Sequence, residues 1–168
     1  ADHKDYFTFV DTAALILEER KDVTFFIIGD GPMFSDIEKY IKERNLQKNI
    51  VMTGFRDDIP DIIREIDVFL MSSKTEGLGS TILDAFANHI PMVATQAGGI
   101  PEIVNHNDTG LTAAVKDSKK LAVHVGHLLD NPGLAEALSN NAYSLLLRKF
   151  TKNKMALANV AVYKEVLK

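Results

Sequence analysis

The chain has 168 residues, with 19 Lys and Arg against 23 Asp and Glu for a net charge of −4, and 46% of its residues are hydrophobic. That is the composition of one globular domain, long enough to bury about two-thirds of the surface its unfolded chain exposes, so the core needs no metal or disulfide. With no Cys there is no thiolate zinc site and no cysteine nucleophile, and the longest apolar runs, Val23–Ile28 and Ile90–Thr95, fall far short of the roughly 20 residues that span a bilayer.

Ala1 to Asp5 lack the apolar stretch of a secretory signal, so the cytoplasm is the expected location. Charge is unevenly spread: Lys116–Lys168 carries nine Lys or Arg against four Asp or Glu, while the first 115 residues carry ten against nineteen. The basic tail lacks a dense stripe with interleaved aromatics, which argues against nucleic acid. It suits a solvated helix face, or docking on an anionic membrane surface or a partner domain.

In chain order, Tyr6–Glu19 is expected to be a well-buried helix, with Phe9, Ala13, Leu15, Ile16 and Leu17 preceding the charged Glu18-Glu19-Arg20-Lys21. Val23–Ile28 is β-branched and aromatic without alternation, the pattern of a parallel strand covered on both faces, and Gly29-Asp30-Gly31-Pro32 stops it. Phe34, Ile37 and Ile41 at helical spacing lead to a second strand, Asn49–Thr53, closed by Gly54. Pro60 opens a helix carrying Ile62, Ile63 and Ile66 before the third strand, Val68–Met71. After a loop over 72–79 come a helix Thr81–Ala87, a strand Pro91–Thr95, a short helix Gly99–Val104 and a last strand Gly110–Ala114. Helices Ser118–Leu129, Leu134–Phe150 and Lys152–Leu167 close the chain, the last with Ala156, Val160, Tyr163 and Leu167 on one face. Strands alternating with helices predict an α/β fold: a doubly wound, Rossmann-like parallel sheet with flanking helices, its function in the loops at the strands' carboxyl ends.

Three of those loops are rich in glycine. Gly29-Asp30-Gly31-Pro32-Met33-Phe34 begins like a dinucleotide fingerprint, but Phe34 occupies the third glycine position, and no P-loop is present, so a tight turn is expected. In the loop from Ser72 to Thr81, Gly77 and Gly79 bring bare backbone to the start of a helix expected to be capped by Ser80, the outline of an anion site. Glu76 just before that helix and Asp84 one turn into it are expected to share a crevice, where each carboxylate can accept two hydrogen bonds from a vicinal diol. The same residues also suit an ordinary capped helix with acidic residues in its first turn. Gly98-Gly99-Ile100-Pro101-Glu102 is expected to be a structural turn abutting the site. His124, His127 and Asp130 have a spacing that could clip a metal, but no second ligand cluster accompanies them, and a polar helix face is the plainer account.

The stretch Glu76-Gly77-Leu78-Gly79-Ser80-Thr81-Ile82-Leu83-Asp84-Ala85-Phe86-Ala87, followed by Gly98-Gly99-Ile100-Pro101-Glu102, resembles the signature of retaining GT-B glycosyltransferases of the group 1 (family 4) type. Gly29-Asp30-Gly31-Pro32, Gly54-Phe55-Arg56 and Ile66-Asp67-Val68-Phe69-Leu70 are similar to that family's other landmarks in the same order. The resemblance covers the whole chain but only the family's C-terminal, nucleotide-sugar-binding half, so it implies a single domain over 1–168 without the N-terminal acceptor-binding domain. It also implies that the first strand of this half, central in the family's sheet, lies upstream of Ala1 together with an Arg of the diphosphate site, so that a central slot with two rows of unpaired backbone groups is expected unless another segment or chain fills it.

The resemblance implies transfer of a sugar from a nucleotide-diphosphate sugar to an acceptor hydroxyl of a glycan, polysaccharide or lipid-linked chain, with no metal and no other cofactor. Glu76 would hold donor-sugar hydroxyls, Lys4 would neutralise the leaving diphosphate, and the backbone from Leu78 through Gly79 and Ser80 to Thr81 would face sugar and diphosphate. Asp84 stands where the family has Glu, one methylene shorter, toward the ribose. Phe55 and Arg56 would flank the nucleobase. The competing readings are half of a nucleotide-sugar 2-epimerase, which shares the architecture but not this carboxylate spacing, and a non-catalytic nucleotide- or phosphate-binding module.

Overall fold

The computed structural model describes residues 2–77 and 79–167. A 3-10 turn at Asp2–Lys4 leads into α1 (Tyr6–Glu19), followed by β1 (Phe25–Ile28), α2 (Phe34–Glu43), β2 (Ile50–Gly54) and α3 (Ile59–Ile62). Next come β3 (Phe69–Met71), α4 (Ser80–Ala87), β4 (Met92–Thr95), α5 (Ile100–Ile103) and β5 (Leu111–Ala113), and the chain closes with α6 (Ser118–Asp130), α7 (Pro132–Lys149) and α8 (Lys152–Val166). Every strand pairing is parallel, as the unbroken apolar runs require.

Two cores flank the strands. On one face α1, α2 and α6 bury Phe9, Val10, Ile37, Leu121 and Val125 against Phe25, Ile27 and Val93, with Phe9 meeting Phe25 edge-on at 6.0 Å between ring centroids. On the other face α4 and α7 bury Ile82, Phe86, Ala142 and Leu145 against Met71, Met92 and Ala94. Consecutive residues of β4 thus enter opposite cores, which is why all four of its residues are buried. The alternation makes the architecture doubly wound.

The strands form two sheets, β1-β2 and β3-β4-β5, with a cleft of about 730 Å³ between β1 and β3, a gap such as the resemblance implies. Phe25 N donates to Asn49 O and Phe69 N donates to Pro91 O. Since successive peptide groups of a strand alternate in direction, those of Phe26, Ile28 and Leu70 point into the cleft. Phe26, expected to be covered, is 51% exposed because it borders that cleft.

Boundaries shift by a residue or two. The helix expected from Leu134 starts at Pro132, a residue suited to the first helical position because it lacks an N–H. The described side chains of α8 are all exposed. Among the described residues no helix is long and apolar enough to cross a membrane.

Candidate functional site

Three segments meet at the carboxyl end of β3: residues 2–5, the loop 72–77, and the end of β4 at Thr95 with the turn 96–99 that follows it. Ser72 Oγ donates to the backbone oxygens of Lys4 and Asp5, at 3.0 and 3.1 Å, and Lys74 N donates to His3 O at 2.7 Å. The Lys74 ammonium reaches Asp2 at 3.1 Å and Asp5 at 3.7 Å; its hydrogen bond to Asp2 is the main reason its pKa lies above the usual lysine value. Asp5 is buried in a left-handed conformation, φ 49°, and accepts a hydrogen bond from Thr8 Oγ1 at 2.8 Å. These ties fasten the start of the chain over the end of the strand.

Lys4 is thereby aimed at Glu76. Its Nζ lies 2.6 Å from Glu76 Oε2, with 29% of the lysine side chain and 12% of the glutamate side chain exposed. Ser73 Oγ adds a longer hydrogen bond to the same carboxylate oxygen at 3.4 Å, and Ser73 O accepts from the buried Thr95 Oγ1 at 2.6 Å.

Ser80 is not the cap of α4. Gly79 stands at that position in a left-handed conformation, φ 31°, so the chain turns into the helix without a capping side chain and Ser80 is the first helical residue. The first-turn N–H groups therefore have no side-chain acceptor, and the positive end of α4 opens at the site. The left-handed backbone is what favours glycine here, since the atom a Cβ would meet, Ile82 Cδ1 at 2.7 Å, is the end of a side chain that can turn aside.

Lys4, Ser72, Ser73, Thr81 and Asp84 line one end of the cleft between β1 and β3, and Glu76 joins them through Lys4. Asp84 is exposed. Phe55 and Arg56 do not line that cleft: they follow β2, where Phe55 is 81% exposed and Arg56 forms an ion pair with Asp58 through Nε, at 2.7 Å, and Nη2. That hydrogen-bonded pairing raises the Arg56 pKa and lowers that of Asp58. Leu78 lies outside the described residues. Asp130 forms an ion pair with Arg20, and among the described residues no three His, Cys, Asp or Glu side chains group as metal ligands.

Three hydroxyls that no motif marks, Ser72, Ser73 and Thr95, complete the arrangement. Their signal in the sequence is a hydroxyl ending a strand or just following it, amid apolar residues. An ammonium, an open helix N-terminus and two carboxylates at one strand end suit a ligand that carries both phosphate and vicinal hydroxyls.

A profile described as glycosyl transferases group 1 matches residues 1–145. Among curated relatives, N-acetyl-alpha-D-glucosaminyl L-malate synthase of Bacillus anthracis is 28% identical over 147 residues, 88% of this chain and 39% of that protein. The C-terminal domain of a glycosyl transferase group 1 family protein, LpcC of Francisella tularensis, superposes with a TM-score of 0.81 at 27% identity, covering 90% of this chain and 82% of that one. HepE of Anabaena in complex with UDP gives 0.86 at 22% identity, covering 97% and 46%. The chain spans less than half the length of the curated relatives it matches.

Proposed function

The chain belongs to the glycosyl transferases of group 1, with the fold of a GT-B C-terminal domain, and we propose that it is the half of such an enzyme that holds a nucleotide-diphosphate sugar for retaining transfer to an acceptor hydroxyl. The observation that carries this reading is the convergence of Lys4, Glu76 and the uncapped start of α4 on one strand end. The acceptor, of the glycan, polysaccharide or lipid-linked class, sits on the N-terminal domain of the full-length protein.

Lys4 Nζ and the first N–H groups of α4 take the diphosphate and stabilise the charge that develops as the bond from the anomeric carbon to the phosphate oxygen breaks. No resident metal or other cofactor enters this scheme, because the ammonium and the helix terminus supply the positive charge. Glu76 accepts from the sugar hydroxyls and Asp84 from the ribose, while Phe55 and Arg56 flank the base from the end of β2. Lys4 and Glu76 neutralise one another, so binding exchanges their mutual pairing for contacts to the substrate.

Calorimetric titration with UDP-, GDP- and ADP-sugars tests this reading. Saturable binding of one of them is expected, weakened tenfold or more, about 1.4 kcal/mol, by Glu76→Ala or Lys4→Ala. Absence of binding to all three classes would overturn it. Binding without efficient transfer is expected of this chain alone, and robust turnover by it would refute the division of labour between two domains.

We propose in addition that the cleft between β1 and β3 is filled, in the full-length protein, by a parallel strand leading into Asp2. Phe9, Val125 and Leu129 line one side and Ile63 and Ile66 the other, as a strand buried on both faces requires. The amides of Phe26, Ile28 and Leu70 should then be protected from hydrogen exchange in the full-length protein and unprotected in this chain; equal protection in both would refute it.

A further inference from the structure

The turn between β4 and α5 touches the site without lining the cleft. Gly99 N donates to Glu76 O at 2.9 Å. A Cβ on Gly98 would stand 2.2 Å from Glu76 O and 3.0 Å from Glu76 N, and one on Gly99 would stand 2.2 Å from Gly77 O. Both obstacles are backbone, which cannot rotate aside as a flexible side chain does. The turn cannot retreat either, because Ile100 and Ile103, directly after it, are fully buried in the core beneath α4 and α7. Gly126 and Gly133, by contrast, have open space where a Cβ would stand.

We propose that Gly98 and Gly99 are positioning residues that fix the Glu76 carboxylate opposite Lys4 by a backbone-to-backbone contact only glycine allows. The proposal rests on Glu76 as a ligand for the sugar. The loop 73–77 is gripped on this side by the glycine pair and by Thr95 Oγ1 on Ser73 O, and on the other by residues 2–5 through Lys74 N and the Lys4 ammonium. Relieving a 2.2 Å contact to an ordinary 3.4 Å moves the Glu76 peptide by about 1 Å, a displacement that costs up to about a hundredfold where a ligand must be placed accurately.

Two different constraints act at the two positions, and this makes the proposal separable from simple backbone strain. Gly98 has φ +53°, a left-handed conformation that Asn tolerates better than Ala. Gly99 has φ −79°, which any residue adopts, so at that position the close approach alone excludes a side chain.

The test compares Gly98→Ala, Gly98→Asn and Gly99→Ala with a Gly126→Ala control, reading affinity for whichever sugar nucleotide the unaltered chain binds, thermal midpoint, and exchange of the Gly99 amide. The three site variants are expected to bind at least tenfold more weakly and to lose protection of residue 99 while remaining folded, and Gly126→Ala to bind as the unaltered chain does. Normal binding by Gly98→Asn would show that only the left-handed backbone matters there and would overturn the proposal for Gly98. Normal binding by a folded Gly99→Ala would overturn it for the pair. Should the Gly98 variants fail to fold, Gly99→Ala carries the test alone. If the unaltered chain binds no sugar nucleotide, the proposed function falls, whereas the contact is still decided by Gly99 exchange: an unprotected amide there overturns it.

Discussion

His124 shows how one side chain couples stability to pH. It is buried on α6, its Nε2 has no hydrogen-bond partner, and its ring lies 5.4 Å from that of His106. Burial foremost, then the charges of Lys120, His106 and His127, hold its pKa below the usual histidine value, against a raising contribution from the Thr112 backbone. The unfolded chain therefore takes up this proton more readily. The resulting stability is fully present above the unfolded pKa of about 6.5 and is lost as pH falls toward the lower folded value. Thermal midpoints between pH 5 and 8 should decline on the acid side of this window, and His124→Leu should flatten that decline; an unchanged slope would exclude His124 as its source. Glu76 and Lys4 were legible in the sequence because a resemblance marked them, and the ion pair at 2.6 Å joins them. The uncapped start of α4 was not, because a left-handed Gly79 leaves no trace in residue types.

Among the elements, α6 depends on a cap the sequence displays only faintly. Asp117 Oδ1 accepts from Lys120 N at 2.9 Å, satisfying one of the donors the first turn leaves open. Asp117→Ala should lower unfolding stability by about 1 kcal/mol in urea denaturation, and a change near zero would mean that water replaces the cap. The strands were readable as short apolar runs, four of them with a glycine or proline at one end (Gly29, Gly54, Pro91 and Gly110), and the helices because their apolar residues recur at helical spacing. What was not readable is the pairing. Whether β1 lies beside β3 depends on neighbours more than forty residues apart in the chain, which local patterns do not record. The resemblance, by contrast, implies a central slot, and two sheets stand on either side of one, whereas β1, expected to be covered, exposes Phe26.

For the whole molecule, α8 stands apart. Its described side chains are exposed, including Met155, Leu157, Val160 and Tyr163, so it adds little to the cores that hold the rest together. Removing residues 152–168 should shift the thermal midpoint by no more than about 2 °C, the lower end of the 2–4 °C that about 1 kcal/mol moves a domain of 150–250 residues. A larger loss would assign α8 a packing role that its exposure denies.

The divided strand arrangement also has a bearing on how the chain behaves in solution. Two inward edges with unmade hydrogen bonds, bordered by the half-exposed Phe26, form an adhesive template for any extended segment that drifts past. The isolated chain should be sticky in proportion to its concentration, scattering more light as it is concentrated, and a lysine in place of Phe26 should quiet it. Scattering that ignores both concentration and that substitution would mean the opening is too narrow to admit a neighbour.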